Sequence, residues 1–256
     1  MVMDDNKVIH GVWFGPQLTN IQRLSIRSYQ DNGHEFHLWV SEPTSRVPEG
    51  TIVHDLNGIF PPERRARFKL SVHLSDYFRV LLIKELGGWY VDVDTICLKH
   101  FDFEEPYAFV SEPDNLGPMR DVSLPPVPPL EIVQRYLSGC IFKAPKGNEL
   151  CQHIVARLNG MDTLHPTDWI CFGPFQFNDV IRMLHLERYV KPPVTFDAIN
   201  YNESNHVVTG GIDWKFSDKA YAIHLRTSGW TSVGRDPNGR YPEDSLFEQL
   251  KRKHGV

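Results

Sequence analysis

Ser75-Asp76-Tyr77-Phe78-Arg79 and, a little further on, Leu86-Gly87-Gly88-Trp89-Tyr90-Val91-Asp92-Val93-Asp94 hold the residues best suited to chemistry in this chain. Two ionised carboxylates held close repel each other, and folding raises the pKa of one of them unless a cation restores the balance. A divalent ion does this best. Oxygen donors suit hard Mg²⁺ or Mn²⁺, which keep coordination positions free for phosphate oxygens. An isolated Asp-x-Asp is ordinarily a solvated strand end. Here an apolar run leads into the acids, a Gly-Gly pair precedes that run, and Asp76 and Arg79 lie one element upstream.

The elements that must position these groups follow from periodicity. Leu74, Tyr77, Phe78, Leu81 and Leu82 recur at three and four residues, which predicts a helix from His73 to Leu86 with an apolar stripe. Gly87 and Gly88 are expected to end it as a left-handed cap. The chain then reads as a strand from Trp89 to Val93, whose alternation puts Tyr90, Asp92 and Asp94 on one face. Asp76 and Arg79, three apart, are neighbours on the helix; on a solvated surface such a pair contributes little.

Lys7 to Phe14 reads as strand, Thr19 to Gln30 as helix, Glu35 to Val40 and Thr51 to Val53 as strands, and Tyr107 to Ser111 as another. Alternating β and α elements predict an α/β fold with a mostly parallel central sheet flanked by helices, binding ligands beyond the strand carboxyl ends. The proline-rich segment 113–130 excludes regular helix or sheet, leaving an extended surface segment or an ordering lid. Pro174 to Leu184 reads as helix, Ala220 to Leu225 as strand, Arg226 to Tyr241 as loop, and Ser245 to Lys253 as a closing amphipathic helix. With no repeat and no linker, one domain over 1–256 is expected.

A 41% hydrophobic and 23% charged composition is that of a globular protein and excludes disorder or a coiled coil. The net charge of -5 argues against a general nucleic-acid binder. Arg64-Arg65-Ala66-Arg67 and Lys251-Arg252-Lys253 are most simply solvated faces, with peripheral membrane contact the alternative. Cys97, Cys140, Cys151 and Cys171 lack Cys-x-x-Cys spacing and have apolar neighbours, so reduced, buried thiols are expected. The amino-terminal Asp4 and Asp5, with no long apolar segment, suggest a cytoplasmic protein, peripheral at most to the inner membrane face.

The helix bearing Ser75-Asp76-x-x-Arg79 and the following Gly87-Gly88-x-Tyr90-x-Asp92-x-Asp94 resemble the signature of the DXD-containing sugar-binding glycosyltransferases. Relatives in that family include fungal initiating mannosyltransferases, alpha-1,4-galactosyltransferases and, remotely, clostridial glucosylating toxins. Lys7 to Gly15, Arg27-Ser28-Tyr29, Asn32 to Trp39, Ser138 to Asn148, Phe172-Gly173-Pro174 and Ala222-Ile223-His224 with Trp230 are similar to further motifs of the family. Ser138-Gly139 stands where relatives often carry Asn, and Phe172 where Thr is usual.

The resemblance implies a GT-A-like nucleotide-sugar fold and a metal-dependent, retaining transfer of a hexose from a UDP-sugar, or a GDP-sugar, to a glycan, lipid-linked glycan or protein. It makes Asp94 the first Mn²⁺ (or Mg²⁺) ligand, puts Asp92 on ribose or on the ion, and sets Asp76 and Arg79 on the donor sugar. His224 is the candidate third ligand, although a lone His after an apolar strand is as often a packed core residue. Trp13 and Tyr90 join the donor set, Trp13 stacking on the base unless it is an ordinary core aromatic. Trp230, with Arg226 and Ser228, would close over the diphosphate unless that loop is merely solvated. A haloacid-dehalogenase-like phosphatase fits less well, because Thr95 follows Asp94 directly. A non-catalytic carbohydrate-binding module would have no need of ligating acids, and no Gly-x-Gly-x-x-Gly supports a nicotinamide site.

Overall fold

The computed structural model of the protein describes residues 6–112, 137–161 and 172–256. Strand β1 (Val8–Trp13) leads to helix α1 (Asn20–Asp31), which opens with a capping box: the Thr19 hydroxyl accepts from the Ile21 amide at 3.3 Å and Gln22 Oε1 accepts from the Thr19 amide at 3.2 Å. Strands β2 (Glu35–Val40) and β3 (Ile52–Asp55) then add in parallel on one side of β1. After a short helix α2 (Pro62–Arg65), the long helix α3 (Ser71–Leu86) returns the chain to β4 (Gly88–Val91), parallel to β1 on its other side.

Beyond β4 come β5 (Thr95–Cys97), β6 (Ala108–Ser111) and β7 (Leu137–Ala144), then helices α4 (Glu149–Asn159) and α5 (Pro174–Met183). Strand β8 (Val190–Lys191), helix α6 (Pro193–Phe196), strand β9 (Ala222–His224), helix α7 (Thr227–Ser232) and helix α8 (Leu246–His254) complete the described elements. The main sheet has seven strands in the order β3-β2-β1-β4-β7-β6-β8, and among the described strands only β7 runs against the rest. This is the mostly parallel α/β sheet that the element order implies. A separate ribbon pairs β5 with β9 antiparallel, Thr95 opposite His224.

Four expectations change. Strand β4 ends at Val91, and the Thr95 amide donates to the Asp92 carbonyl at 3.0 Å, so Asp92 to Thr95 form a turn and alternation does not extend to Asp94. Helix α3 begins two residues before His73, and Asp76 through Ile83 are all buried rather than forming one stripe, because α3 lies between the sheet and α4. Gly87 adopts φ 74°, ψ -174°, an extended mirror-image conformation rather than a left-handed helical cap, and the position demands glycine, since a Cβ there would stand 2.5 Å from the Lys146 amide nitrogen. The segment after Arg226 is not all loop: Thr227 to Ser232 is helical.

Cys97, Cys140 and Cys151 are free and buried, while Cys171 and the segment 113–130 fall outside the described residues. No described helix is long and apolar enough to cross a membrane. Gly87→Ala combines a backbone region nearly exclusive to glycine with a backbone collision, and should lower the unfolding free energy by about 2–4 kcal/mol in urea titrations. Gly88→Ala, also at positive φ but facing open space, should lower it by only about 1 kcal/mol.

Candidate active site

Helix α3 contributes the first half of the site. Its amino-terminal half lies toward the carboxyl end of β4, so Asp76 and Arg79 face the residues that follow that strand. Arg79 Nη2 lies 3.1 Å from Asp76 Oδ1 and 3.1 Å from Asp92 Oδ1, and donates to Ser75 Oγ at 3.3 Å. The guanidinium also stands 5.2 Å from the Tyr90 ring centroid, and the Tyr90 hydroxyl donates to Asp92 Oδ1 at 3.1 Å. Asp76 and Arg79 are both buried, so this is no solvated surface pair.

Two glycines make room for it. A Cβ on Gly139 would come within 2.7 Å of Arg79 Nη1, and one on Gly173 within 2.9 Å of Asp76 Oδ2. Ser138-Gly139 and Phe172-Gly173-Pro174, which stand out in the sequence, therefore shape the pocket around the helix pair.

The ribbon contributes the second half. Pairing of Thr95 with His224 brings the imidazole beside the turn, and His224 Nε2 lies 3.2 Å from Asp94 Oδ1. The other oxygen of Asp94 accepts from the Thr227 amide at 2.8 Å, while the Leu225 amide donates to the Asp94 carbonyl at 2.9 Å. Behind the imidazole, Asp197 Oδ1 lies 4.0 Å from His224 Nδ1, and Arg226 donates to Asp197 Oδ2 at 2.5 Å. Arg226 holds φ 54°, an uncommon conformation for a side chain of its size and one that recurs at functional sites.

Burial pushes the Asp92 carboxyl up to about 6, against the pull of Arg79 and with the help of Asp94. Burial likewise raises Asp76 against Arg79, and Asp197 against Arg226. Burial works to raise Asp94 as well, yet His224 and the Thr227 amide hold it below the usual carboxylate range. Burial opposes charge on His224, but Asp94 keeps the imidazole protonated. Without a metal, then, an imidazolium supplies the positive charge that the acid pair demands.

A divalent ion fits this donor set. One ligand atom each from Asp92, Asp94 and His224 lie within 4.8 Å of one another, and two carboxylates with one imidazole suit Mn²⁺ or Mg²⁺ better than thiophilic metals. Asp76, Asp92, Asp94, Asp197 and Glu112 bring more carboxylates to the site than the guanidiniums of Arg79 and Arg226 can offset, an excess of negative charge that favours a cation.

Asp76, Arg79, Tyr90, Asp92, Asp94 and His224 thus come together. Trp13 closes β1 and is half-buried; among the described residues its indole nitrogen has no hydrogen-bond partner, and a Cβ on Gly15 would stand 3.2 Å from it. Trp230 does not reach the acids. It is fully buried, donates to the Leu225 carbonyl at 3.0 Å and packs against Phe247 and Tyr241, where it anchors the chain after Arg226. Sequence reasoning missed Asp197, although an acid inside Phe196-Asp197-Ala198-Ile199 is an anomaly that could have flagged it. It also missed Glu112, at the carboxyl end of β6, whose carboxyl burial raises against Arg226. Nothing in the sequence could have announced the Thr227 amide.

Residues 19–120 match the family described as "Glycosyltransferase sugar-binding region containing DXD motif", and Asp92-Val93-Asp94 is an Asp-x-Asp within them. This stretch of the chain is therefore similar to the sugar-binding region of those glycosyltransferases. No curated protein sequence matches the chain. Similar solved structures include "PaToxG Glycosyltransferase", 13% identical with a TM-score of 0.46 over 97% of this chain and 84% of that one. The UDP-bound glycosyltransferase domain of the YGT toxin is 10% identical with a TM-score of 0.48, covering 83% of each chain.

Arg79→Met would leave Asp76 and Asp92 buried without a guanidinium, and at pH 7 should cost about 3 kcal/mol or more in denaturant unfolding. Unpaired buried carboxyls have raised folded pKa values, so protonation favours the folded form and the stability it gives is lost as pH rises. The deficit should therefore shrink at pH 5.

Proposed function

We infer that the protein transfers a hexose from a nucleoside-diphosphate sugar, a UDP-sugar before a GDP-sugar, to a glycan, lipid-linked glycan or protein, with the help of a divalent ion. The observation that carries this is the convergence of Asp92, Asp94 and His224 beside the buried Asp76-Arg79 pair. Breaking the bond between sugar and diphosphate builds charge on the departing phosphate. A bound divalent ion, held by Asp94 and His224 with Asp92 direct or through water, would offset that charge.

The remaining work falls to the chain itself. Asp76 accepts hydrogen bonds from donor-sugar hydroxyls and Arg79 donates to them, while both keep Asp92 oriented. The Tyr90 hydroxyl fixes one oxygen of Asp92 and leaves the other free for ribose or the ion. Trp13, at the carboxyl end of β1, offers a ring to the nucleotide base. Trp230 acts at one remove, holding the segment that presents Arg226 and the Thr227 amide. Retention of anomeric configuration rests on the resemblance of the motif, and the anomeric coupling of the product by NMR tests it. The named groups sit on the sheet, on helix α3, on the ribbon and on the segment after it, all packed together, which supports one catalytic domain.

With Mn²⁺ present, one member of a UDP- and GDP-sugar panel should raise the melting temperature, and without it the shift should vanish. Asp94→Ala should reduce transfer at least about a hundredfold while leaving the fold intact, and a variant as active as the parent would remove the metal from the proposal. Asp92 has a folded pKa of about 6, above its ordinary 3.8, so below about pH 6 a proton competes with the ion. Mn²⁺ affinity measured by titration calorimetry should accordingly fall as pH drops from 7 to 5, and Asp92→Asn should reduce that dependence to the part contributed by release of the His224 proton.

A further inference from the structure

His224 stands between two carboxylates, and only the Asp94 side belongs to the acid pair. Its Nε2 faces Asp94 Oδ1 at 3.2 Å, while its Nδ1 faces Asp197 Oδ1 at 4.0 Å. Both atoms of the second pair are buried and, among the described residues, neither has a hydrogen-bond partner in place, although the Cys140 thiol interacts with the same imidazole, and Asp197 has no exposed surface at all. A buried carboxylate oxygen without a partner is costly, so one aimed at a buried ring nitrogen needs a reason. The other oxygen of Asp197 is pinned by Arg226 at 2.5 Å, which fixes the direction in which the free one points.

A histidine that ligates through Nε2 must give up the proton there and keep one on Nδ1, and that N–H needs an acceptor. We propose that Asp197 is the positioning residue of the metal site: it accepts the Nδ1–H of His224, so that Nε2 is held as a free donor toward the ion beside Asp92 and Asp94. The 4.0 Å separation means that a small rotation of the ring toward Asp197 completes the hydrogen bond. Cys140 is the rival acceptor, since its sulfur lies within 4.8 Å of the same two groups. A carboxylate pinned by a guanidinium is the stronger acceptor of the two. Arg226 acts through this chain of contacts, which gives its unusual backbone conformation a purpose. This inference rests on the metal reading of the site and adds a residue that the Asp-x-Asp signature does not contain.

The test is Mn²⁺ binding, read by the electron paramagnetic resonance of free Mn²⁺ and by the nitrogen coupling that a bound imidazole imparts to the ion. The parent protein should bind with a nitrogen coupling that His224→Ala abolishes. Asp197→Asn should weaken binding about 10- to 100-fold and diminish the coupling, the usual range for loss of a ligand's outer partner. Its metal-free melting temperature guards against a merely structural loss. Cys140→Ser should keep both affinity and coupling. If Asp197→Asn binds within twofold of the parent with its coupling intact, or if Cys140→Ser reproduces the loss, the assignment is overturned while the metal reading survives. A parent that binds no Mn²⁺ overturns the metal reading, and this inference with it. Should Asp197→Asn fail to fold, the Nδ1–H of His224 in the parent loaded with diamagnetic Cd²⁺ decides the matter by NMR: a strongly downfield, exchange-protected proton, as a carboxylate acceptor gives, supports the role, and an unshifted or absent one refutes it.

Discussion

The short antiparallel pairing of β5 with β9 is the constraint on which the site depends. Asp94 immediately precedes β5 and His224 ends β9, so the register that sets Thr95 opposite His224 is what places imidazole against carboxylate. A slip of one residue would turn every side chain of β9 to the opposite face. Helix α1 holds the β5 side of that pairing. Ser28 Oγ accepts from the Cys97 amide at 2.9 Å, and Asn32 donates to the Cys97 carbonyl at 3.2 Å. The Thr95 hydroxyl donates to the Asp92 carbonyl at 2.7 Å, so its oxygen accepts from the Tyr29 hydroxyl at 3.0 Å. The turn bearing both acids is thus held from the helix side, from within, and by the Asp92 amide donating to Cys140 at 2.6 Å on β7.

Two half-sites meet at Asp92. The helical half, Asp76 and Arg79, is rigid because α3 is packed on nearly all sides. The ribbon half, Asp94 and His224, is held by backbone hydrogen bonds. Asp92 belongs to both, with one oxygen committed to Arg79 and Tyr90. Burying this many charges is costly unless each has a partner, and the carboxylates here are paired with guanidinium, imidazolium or an amide. The excess of negative charge is therefore concentrated where the acid pair and the imidazole converge.

Much of this was legible in the sequence, and the reasons differ by element. The parallel sheet followed from apolar strands alternating with capped helices, and Thr19 with Gln22 announced the start of α1 to the residue. Asp76, Arg79, Asp92 and Asp94 were legible because so short a connection between an apolar helix and an apolar strand leaves the two packed side by side, with the helix start beside the strand's end. The path beyond Val91 was not, because the Thr95 amide bonding back to Asp92 overrides strand alternation. The burial of α3 on several faces depends on α4, which lies far off in sequence. Trp230 misled for a related reason: an aromatic in a polar stretch looks available, yet Phe247 and Tyr241 close over it. Asp197 contributes through a pairing made by tertiary folding, to which local pattern is blind.

The ribbon joins chain positions far apart: the Thr227 amide and the Asp94 carboxylate that it caps are separated by 133 residues. During synthesis a nascent chain therefore releases the two acids from the ribosome long before the histidine that faces them exists outside the tunnel. Until that last third is extruded and folds back, the turn after β4 is an electrostatically unbalanced corner, and formation of β9 against β5 is a late, non-local event in folding. The grouping of Asp92, Asp94 and His224 is thereby complete only once β9 has paired with β5, not when the motif itself appears.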